Sequence, residues 1–159
     1  MSTSFSYKDL EPIMLEKLKN GGKIRIMPKG TSMLPMIRQG IDEVELILPT
    51  KRLKKYDIPF YKREDGQFVL HRIVKVRKKD YVLCGDNQTQ REYGITDDMI
   101  FAVVTGYIRD GEYIPVSDKK YLNYCKKHVL KQNIKGKVNE LRFFVGKTLR
   151  RLKMRKGTD

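Results

Sequence analysis

From Lys23 onwards the sequence is a series of short runs rich in apolar residues, separated by residues that favour turns. In the first run Ile24 and Ile26 alternate with Lys23, Arg25 and Met27, a period of two that predicts a half-buried β-strand, and the later runs are further strand candidates. Asp65-Gly66 and Asp110-Gly111 interrupt the series with a dipeptide typical of tight hairpins. We therefore predict a mostly β fold of several short strands, at residues 23–27, 43–48, 57–61, 68–76, 81–84, 100–108 and 112–115.

Helical spacing replaces this alternation at both ends of the chain. Apolar residues recur one helical turn apart between Leu10 and Leu18, and Gly21-Gly22 follows as a stop signal. The C-terminal part again spaces its apolar residues for a helix, and Gly136 is predicted to separate two helices. The sequence thus predicts an N-terminal helical segment (1–22), a β domain (23–116) and a helical basic tail (117–159).

Charge is concentrated in that tail. The net charge is +15, and residues 117–159 hold 14 of the 34 Lys and Arg residues but only 3 of the 19 Asp and Glu residues. Apolar residues beside basic ones would suit an anionic membrane surface, as in Phe143-Phe144 and Leu149 beside Arg142, Lys147, Arg150 and Arg151. A helix pair with solvated charges that covers the sheet is the simpler alternative. We rank membrane or partner contact ahead of nucleic acid, for which no aromatic-interleaved motif is present.

The remaining composition limits the class of protein. A chain of 159 residues is expected to form one domain with an appendage. Its longest apolar run, Met99 to Val104, is far shorter than the roughly 20 residues of a membrane span. No secretory signal is recognised at the N-terminus, and Cys84 and Cys125 are expected to be reduced thiols. We expect a cytoplasmic protein, which would associate with the inner face of the membrane if the tail binds lipid. We expect neither a metal nor a cofactor.

The residues that could carry chemistry begin with Ser32, in Gly30-Thr31-Ser32-Met33-Leu34-Pro35 directly after the first predicted strand. A serine hydroxyl needs a base within hydrogen-bond reach to act as a nucleophile. The chain has two histidines, His71 in a strand-like run and His128 in the basic tail. A carboxylate that could orient a histidine, Asp86, follows the strand predicted at 81–84. The order along the chain is Ser, His, Asp.

Each of these residues also has a plainer structural interpretation. Ser32 could be a turn serine bonded to its own backbone, and Asp86 is a residue type that turns favour. His71 could be a core histidine with satisfied hydrogen bonds, and Met33 to Pro35 could pack in the core. Lys75 is an alternative base, although two residues span roughly 7 Å along a strand.

Together the motifs resemble a known family. Gly30-x-Ser32-Met33-x-Pro35, Leu70-His71-Arg72-Ile73-Val74 and Gly85-Asp86-Asn87 resemble, in this order, the three signature boxes of the signal peptidase I superfamily, which includes the self-cleaving SOS repressors. Gly40-x-Asp42-x-Val44 and Tyr56-Asp57-Ile58 fit between them. The resemblance covers about residues 22–115. Histidine in the middle box makes the chain more similar to the endoplasmic-reticulum, archaeal and sporulation-type branch than to the Ser/Lys enzymes.

The resemblance implies a role for each matching residue. Ser32 would be the nucleophile, His71 the general base and Asp86 the group that orients the imidazole. The backbone N–H of Ser32 would form the oxyanion hole, since Gly30 has no hydroxyl to contribute. The family binds its peptide as an added strand with small residues next to the scissile bond, which makes Met27, Gly30, Met33, Pro35 and Leu70 the expected substrate-binding residues.

Two departures from the family pattern stand out. The third box usually carries a second aspartate, and between Gln88 and Glu92 only Glu92 could substitute for it. Signal peptidases are anchored by transmembrane segments, whereas this sequence has none, nor room for a repressor's DNA-binding domain. We expect a serine endopeptidase that removes a signal or leader segment from a peptide or protein precursor. A catalytically silent module that binds a peptide or partner in the same groove is the alternative.

Overall fold

The computed structural model describes residues 7–156, with side chains for 9–139, 142 and 143. Residues 1–6, where no secretory signal is recognised, lie outside the described residues, as do the side chains of Phe144, Lys147, Leu149, Arg150 and Arg151. In chain order the elements are α1 (Tyr7–Lys19), β1 (Ile24–Ile26), β2 (Glu43–Ile47), β3 (Pro59–Lys62), β4 (Phe68–Leu70), β5 (Arg72–Val76), β6 (Tyr81–Cys84), β7 (Glu92–Ile95), a 3-10 turn (Asp97–Met99), β8 (Ile100–Arg109), β9 (Glu112–Pro115) and α2 (Lys119–Lys156).

The strands form two antiparallel sheets, which confirms the mostly β prediction. The larger sheet has the order β1-β2-β8-β3-β4, with β9 also paired to β8. The smaller sheet has the order β5-β6-β7. At the β8–β9 hairpin, Asp110 and Gly111 both have positive φ, 52° and 85°, as a type I′ turn requires.

The strand predicted at residues 68–76 is wrong as a single element. Leu70 pairs with Phe60 in the larger sheet, whereas Arg72 pairs with Cys84 in the smaller one. His71 therefore lies at the crossing from one sheet to the other. Apolar residues continue on both sides of the crossing, so periodicity alone cannot reveal it. β7, which sequence analysis missed, completes the smaller sheet beside His71.

Both helices contribute to the main core. α1 buries Met14 and Leu18, and α2 buries Tyr121 and Cys125 in the same cluster. The prediction that Gly136 separates two helices is wrong, because α2 continues through it. A mid-helix glycine costs only about 1 kcal/mol relative to alanine, which does not by itself end a helix. No helix in the described part of the chain combines the length and apolar composition of a membrane span.

Both cysteines are buried free thiols. Burial raises the pKa of Cys84 to about 11, and burial likewise raises the pKa of Cys125. Thiols with raised pKa values carry little thiolate at neutral pH and are poor nucleophiles. Neither cysteine competes with the serine as a source of nucleophilic chemistry.

Candidate active site

A cleft of about 230 Å³ opens between the loop that follows β1 and the chain that crosses from β4 to β5. Pro28, Gly30, Ser32 and Met33 line it on one side, and residues 67–71 line it on the other. The structure thus brings Ser32 and His71 to the same cleft, although they are distant in sequence. The volume is below the roughly 300–1,000 Å³ typical of small-molecule pockets, and a few side chains would fill it.

Ser32 lies in a loop that its neighbours hold in a turn. Gly30 has φ +92°, a left-handed conformation that glycine adopts without strain. Leu34 N–H donates to Thr31 C=O at 3.2 Å, and Ile37 N–H donates to Met33 C=O at 2.9 Å. Ser32 is half-buried. Among the described residues, neither its N–H nor its Oγ has a hydrogen-bond partner, so both groups are available to a ligand in the cleft.

His71 is buried, with 3% of its surface exposed, and its Nδ1 faces a carboxylate. Nδ1 lies 2.9 Å from Glu92 Oε1 on β7 and 3.3 Å from Tyr61 Oη on β3. A carboxylate at Nδ1 keeps the imidazole proton on that nitrogen and leaves Nε2 as the unprotonated, basic atom. The imidazole of His71 is therefore oriented by Tyr61 from the larger sheet and by Glu92 from the smaller sheet.

The charges around Glu92 fix the protonation states of this pair. Burial alone would raise the pKa of Glu92, but hydrogen bonds from Arg63 and from Tyr61 Oη, the latter 2.8 Å long, lower that pKa below its usual value. Burial lowers the pKa of His71, and the attraction to Glu92 only partly offsets this effect. At neutral pH the site accordingly holds an ionised Glu92 and a neutral His71, the form that a general base requires.

Gly85 brings Nε2 of His71 and the serine loop together. A Cβ at position 85 would meet the Ser32 carbonyl oxygen at 2.7 Å and His71 Nε2 at 3.1 Å. The two groups approach each other closely because position 85 has no side chain. Asn87 N–H also donates to the Ser32 carbonyl oxygen at 2.8 Å. No hydrogen bond joins Ser32 Oγ to His71 within the described residues, and such bonds are often long in enzymes without substrate.

The structure pairs Asp86 with Arg72 and not with His71. Its carboxylate accepts two hydrogen bonds from Arg72, from Nε at 2.8 Å and from Nη2 at 2.7 Å, and both side chains are fully buried. The bidentate guanidinium engages both carboxylate oxygens, so the imidazole of His71 is oriented by Glu92 instead. Asp86 remains close enough to contribute to the electrostatic environment of His71.

The expected substrate-binding residues divide into two groups. Gly30, Met33 and Leu70 line the cleft that contains Ser32 and His71. Met27 is 46% exposed and Pro35 lines a separate depression beside Tyr107, so neither is among the described residues that line this cleft. The alternative base, Lys75, is exposed on β5 and is likewise outside the lining.

Sequence reasoning named Glu92 only as a substitute for a missing aspartate and overlooked its supporting residues. Tyr61 lies on β3, and Arg63 directly follows the end of that strand, so one residue separates them. Both side chains bind Glu92. That spacing places them on one strand face, which is the only signal the sequence offered. No group of His, Cys, Asp and Glu among the described residues has the arrangement of a metal site.

Comparison of the chain with protein-family models, with curated proteins and with solved structures finds no match. The resemblance of the three boxes therefore stays a resemblance. Function is inferred from the geometry of the cleft.

Proposed function

We propose that the chain is a serine endopeptidase of the signal-peptidase type, which cleaves a signal or leader segment from a peptide or protein precursor. The observation that carries this proposal is the convergence of Ser32 and His71 on one cleft, with Nδ1 of the imidazole held by an ionised Glu92. A turn serine would bond its own backbone, whereas Ser32 Oγ has no hydrogen-bond partner among the described residues. A free hydroxyl in the same cleft as His71 supports the proposal.

The arrangement supports an acyl-enzyme mechanism. His71 Nε2 would accept the proton of Ser32 Oγ as Oγ bonds to the scissile carbonyl carbon, and Glu92 would stabilise the imidazolium. The free N–H of Ser32 would donate to the oxyanion. His71 would then protonate the leaving amine as the peptide C–N bond breaks. A water deprotonated by His71 would hydrolyse the acyl-enzyme and restore the serine hydroxyl.

Edge strand β4 indicates how a peptide would bind. β4 is last in the strand order of the larger sheet, so no described strand pairs with its outer edge. An extended peptide can add to such an edge through main-chain hydrogen bonds. The residues of β4 line the cleft opposite Pro28 and Gly30. Met33 and Leu70 are among the residues that line the cleft, so we expect small or apolar side chains next to the scissile bond.

The decisive experiment is mass spectrometry on a panel of secretory and leader peptides, incubated with the wild-type protein and with Ser32→Ala. We expect a defined cut made by the wild type alone, together with undiminished peptide affinity in Ser32→Ala. A fluorophosphonate should label Ser32 of the wild type, which reports the activated hydroxyl without knowledge of the substrate. Peptide binding without cleavage and without labelling would support the silent binding module instead.

The pH dependence of cleavage provides an independent check on the base. His71 must be neutral to accept a proton, and burial lowers its pKa below the usual value of about 6.5. We therefore expect kcat/KM to be level near pH 8 and to decline at lower pH with a midpoint below that of an ordinary histidine. Glu92→Gln removes the charge that favours the imidazolium, so the decline should move to still lower pH. Activity that keeps rising above pH 8 would contradict a histidine base and favour lysine.

We further propose that α2 brings the enzyme to the inner face of an anionic membrane. Leu130, Ile134 and Val138 are 60%, 56% and 42% exposed. At 100° per residue they share a face of the helix opposite the buried Tyr121 and Cys125. The sequence of this helix is strongly basic, since Lys119–Lys156 contains 14 Lys and Arg residues and one acidic residue, Glu140. Exposed aliphatic side chains between lysines favour a lipid surface over a polyanion such as RNA.

Vesicle sedimentation tests this proposal. We expect the protein to pellet with phosphatidylglycerol-containing vesicles and not with pure phosphatidylcholine, since charge attraction and apolar insertion act together. Serine at Leu130, Ile134 and Val138 together should abolish pelleting. The control is serine at Ile13 and Ile41, which are 66% and 63% exposed, more than the three residues of α2, but lie outside that helix. Pelleting of the triple variant like wild type would refute the proposal, as would binding to RNA but not to vesicles.

A further inference from the structure

The loop at residues 85–88 contacts both proposed catalytic residues. Its Asn87 N–H donates to the Ser32 carbonyl oxygen, and its Gly85 lies against His71 Nε2. The position of this loop therefore sets the position of the serine backbone, including the N–H proposed for the oxyanion hole. What holds the loop also determines the geometry of the site.

α2 holds this loop through its carbonyl oxygens. Gln132 Nε2 lies 2.7 Å from Gly85 O, 2.9 Å from Gln88 O and 3.1 Å from Asp86 O. His128 Nε2 lies 2.7 Å from the same Asp86 carbonyl oxygen and must carry its proton there, since a carbonyl only accepts. Residues from the basic C-terminal helix thus bind the backbone of a loop that lies far away in sequence.

The contacts of Gln132 define the orientation of its amide. Three carbonyl oxygens surround Nε2, whereas the buried Oε1 has no hydrogen-bond partner among the described residues. The reverse orientation would place an oxygen against three oxygens. Gln132 therefore acts toward the loop as a hydrogen-bond donor. A side chain of the same shape without that donor would repel the loop.

We propose that Gln132 is a positioning residue for Ser32, acting through the loop at residues 85–88. The inference rests on the proposed function. Nε2 of Gln132 donates to the three carbonyl oxygens of the loop, and Asn87 N–H of the loop donates to the Ser32 carbonyl oxygen. These contacts keep Ser32 aligned with His71 Nε2. A displacement of about 1 Å at a reacting group can cost roughly 10²-fold in rate, so a residue outside the cleft can control turnover.

The test compares Gln132→Glu with Asn133→Asp. Both substitutions turn an amide into a carboxylate at adjacent positions, but Asn133 contacts Arg91 through an oxygen that aspartate retains. In Gln132→Glu we expect kcat on the peptide cut by the wild type to fall by roughly 10²-fold with KM little changed. Asn133→Asp should behave like wild type. Gln132→Lys, which keeps an N–H donor of similar reach, should recover part of the lost kcat.

Amide hydrogen exchange at Asn87 gives a readout that needs no substrate. Exchange of this amide should accelerate in Gln132→Glu and stay unchanged in Asn133→Asp, while amides of β6 stay protected in both, which excludes global unfolding. Unchanged Asn87 exchange in Gln132→Glu would overturn the inference, as would a rise in KM with constant kcat. If the wild type cuts no peptide and labels with no fluorophosphonate, the proposed function fails, and Asn87 exchange decides the role of Gln132 in holding the loop.

Discussion

Arg72→Met is expected to lower the free energy of unfolding by about 3–5 kcal/mol, because it leaves the carboxylate of Asp86 buried without its cation. Both side chains are fully buried. Arg72 Nη1 also binds Tyr121 Oη at 2.9 Å and Cys125 Sγ at 3.0 Å, so one guanidinium connects β5, the loop after β6 and α2. A loss of this size should lower the melting temperature by about 10 °C, since 1 kcal/mol corresponds to about 2–4 °C in a protein of this length.

Thermal or urea unfolding measures the effect, with Arg77→Met as the matched control. Arg77 forms an ion pair with Asp80 at the surface, where solvent screens the charges, so its loss should change stability little. The double variant Arg72→Met with Asp86→Leu should recover part of the lost stability, because no buried charge then lacks a partner. Equal stability of Arg72→Met and Arg77→Met would contradict the buried ion pair as a main connection between the sheets and α2.

His71→Ala is expected to reduce kcat by about 10²–10⁴-fold, the usual contribution of a positioned general base. His71 is the only histidine that lines the cleft among the described residues, so no neighbour of the same type can replace it. Burst and steady-state kinetics on a peptide identified in the panel would measure the loss. KM is expected to change much less than kcat, because a general base acts in the transition state and not in the binding of the substrate.

Lys75→Ala and Glu92→Gln complete this measurement. Lys75→Ala should leave kcat unchanged, because this lysine is exposed outside the cleft. Glu92→Gln removes the carboxylate that keeps the proton on Nδ1, and loss of such an orienting group can cost up to about 10⁴-fold. Full kcat in His71→Ala together with a loss in Lys75→Ala would reverse the assignment of the base.

Local signals in the sequence were sufficient for most elements of the fold. Short runs rich in β-branched and aromatic residues, bounded by turn residues, predict β2, β6, β8 and β9, because such residues suit a strand and the runs are too short for a helix. Asp110-Gly111 predicts its hairpin because both positions need positive φ. β7 was missed because its four residues, partly exposed, show no alternation that distinguishes them from a loop.

Ser32 and His71 were predicted as a pair from their motifs, but their carboxylate was not. Asp86 and Glu92 both follow β6, and a sequence does not show which of them a guanidinium will bind. Arg72 is adjacent to His71, yet its side chain lies on the other face of the chain and engages Asp86. Glu92 is thereby the carboxylate at Nδ1. The assignment depends on competition between charged groups in the folded chain.

The sequence by itself determined the class of fold, the turns and the identity of the candidate nucleophile and base. Each of these depends on a short motif or run whose residues are neighbours along the chain. Only the tertiary structure decided that the chain changes sheet at His71, that Glu92 orients the imidazole and that Gln132 holds the loop beside Ser32. These contacts join residues distant in sequence. They form because buried polar groups, which water cannot reach, must make their hydrogen bonds to one another.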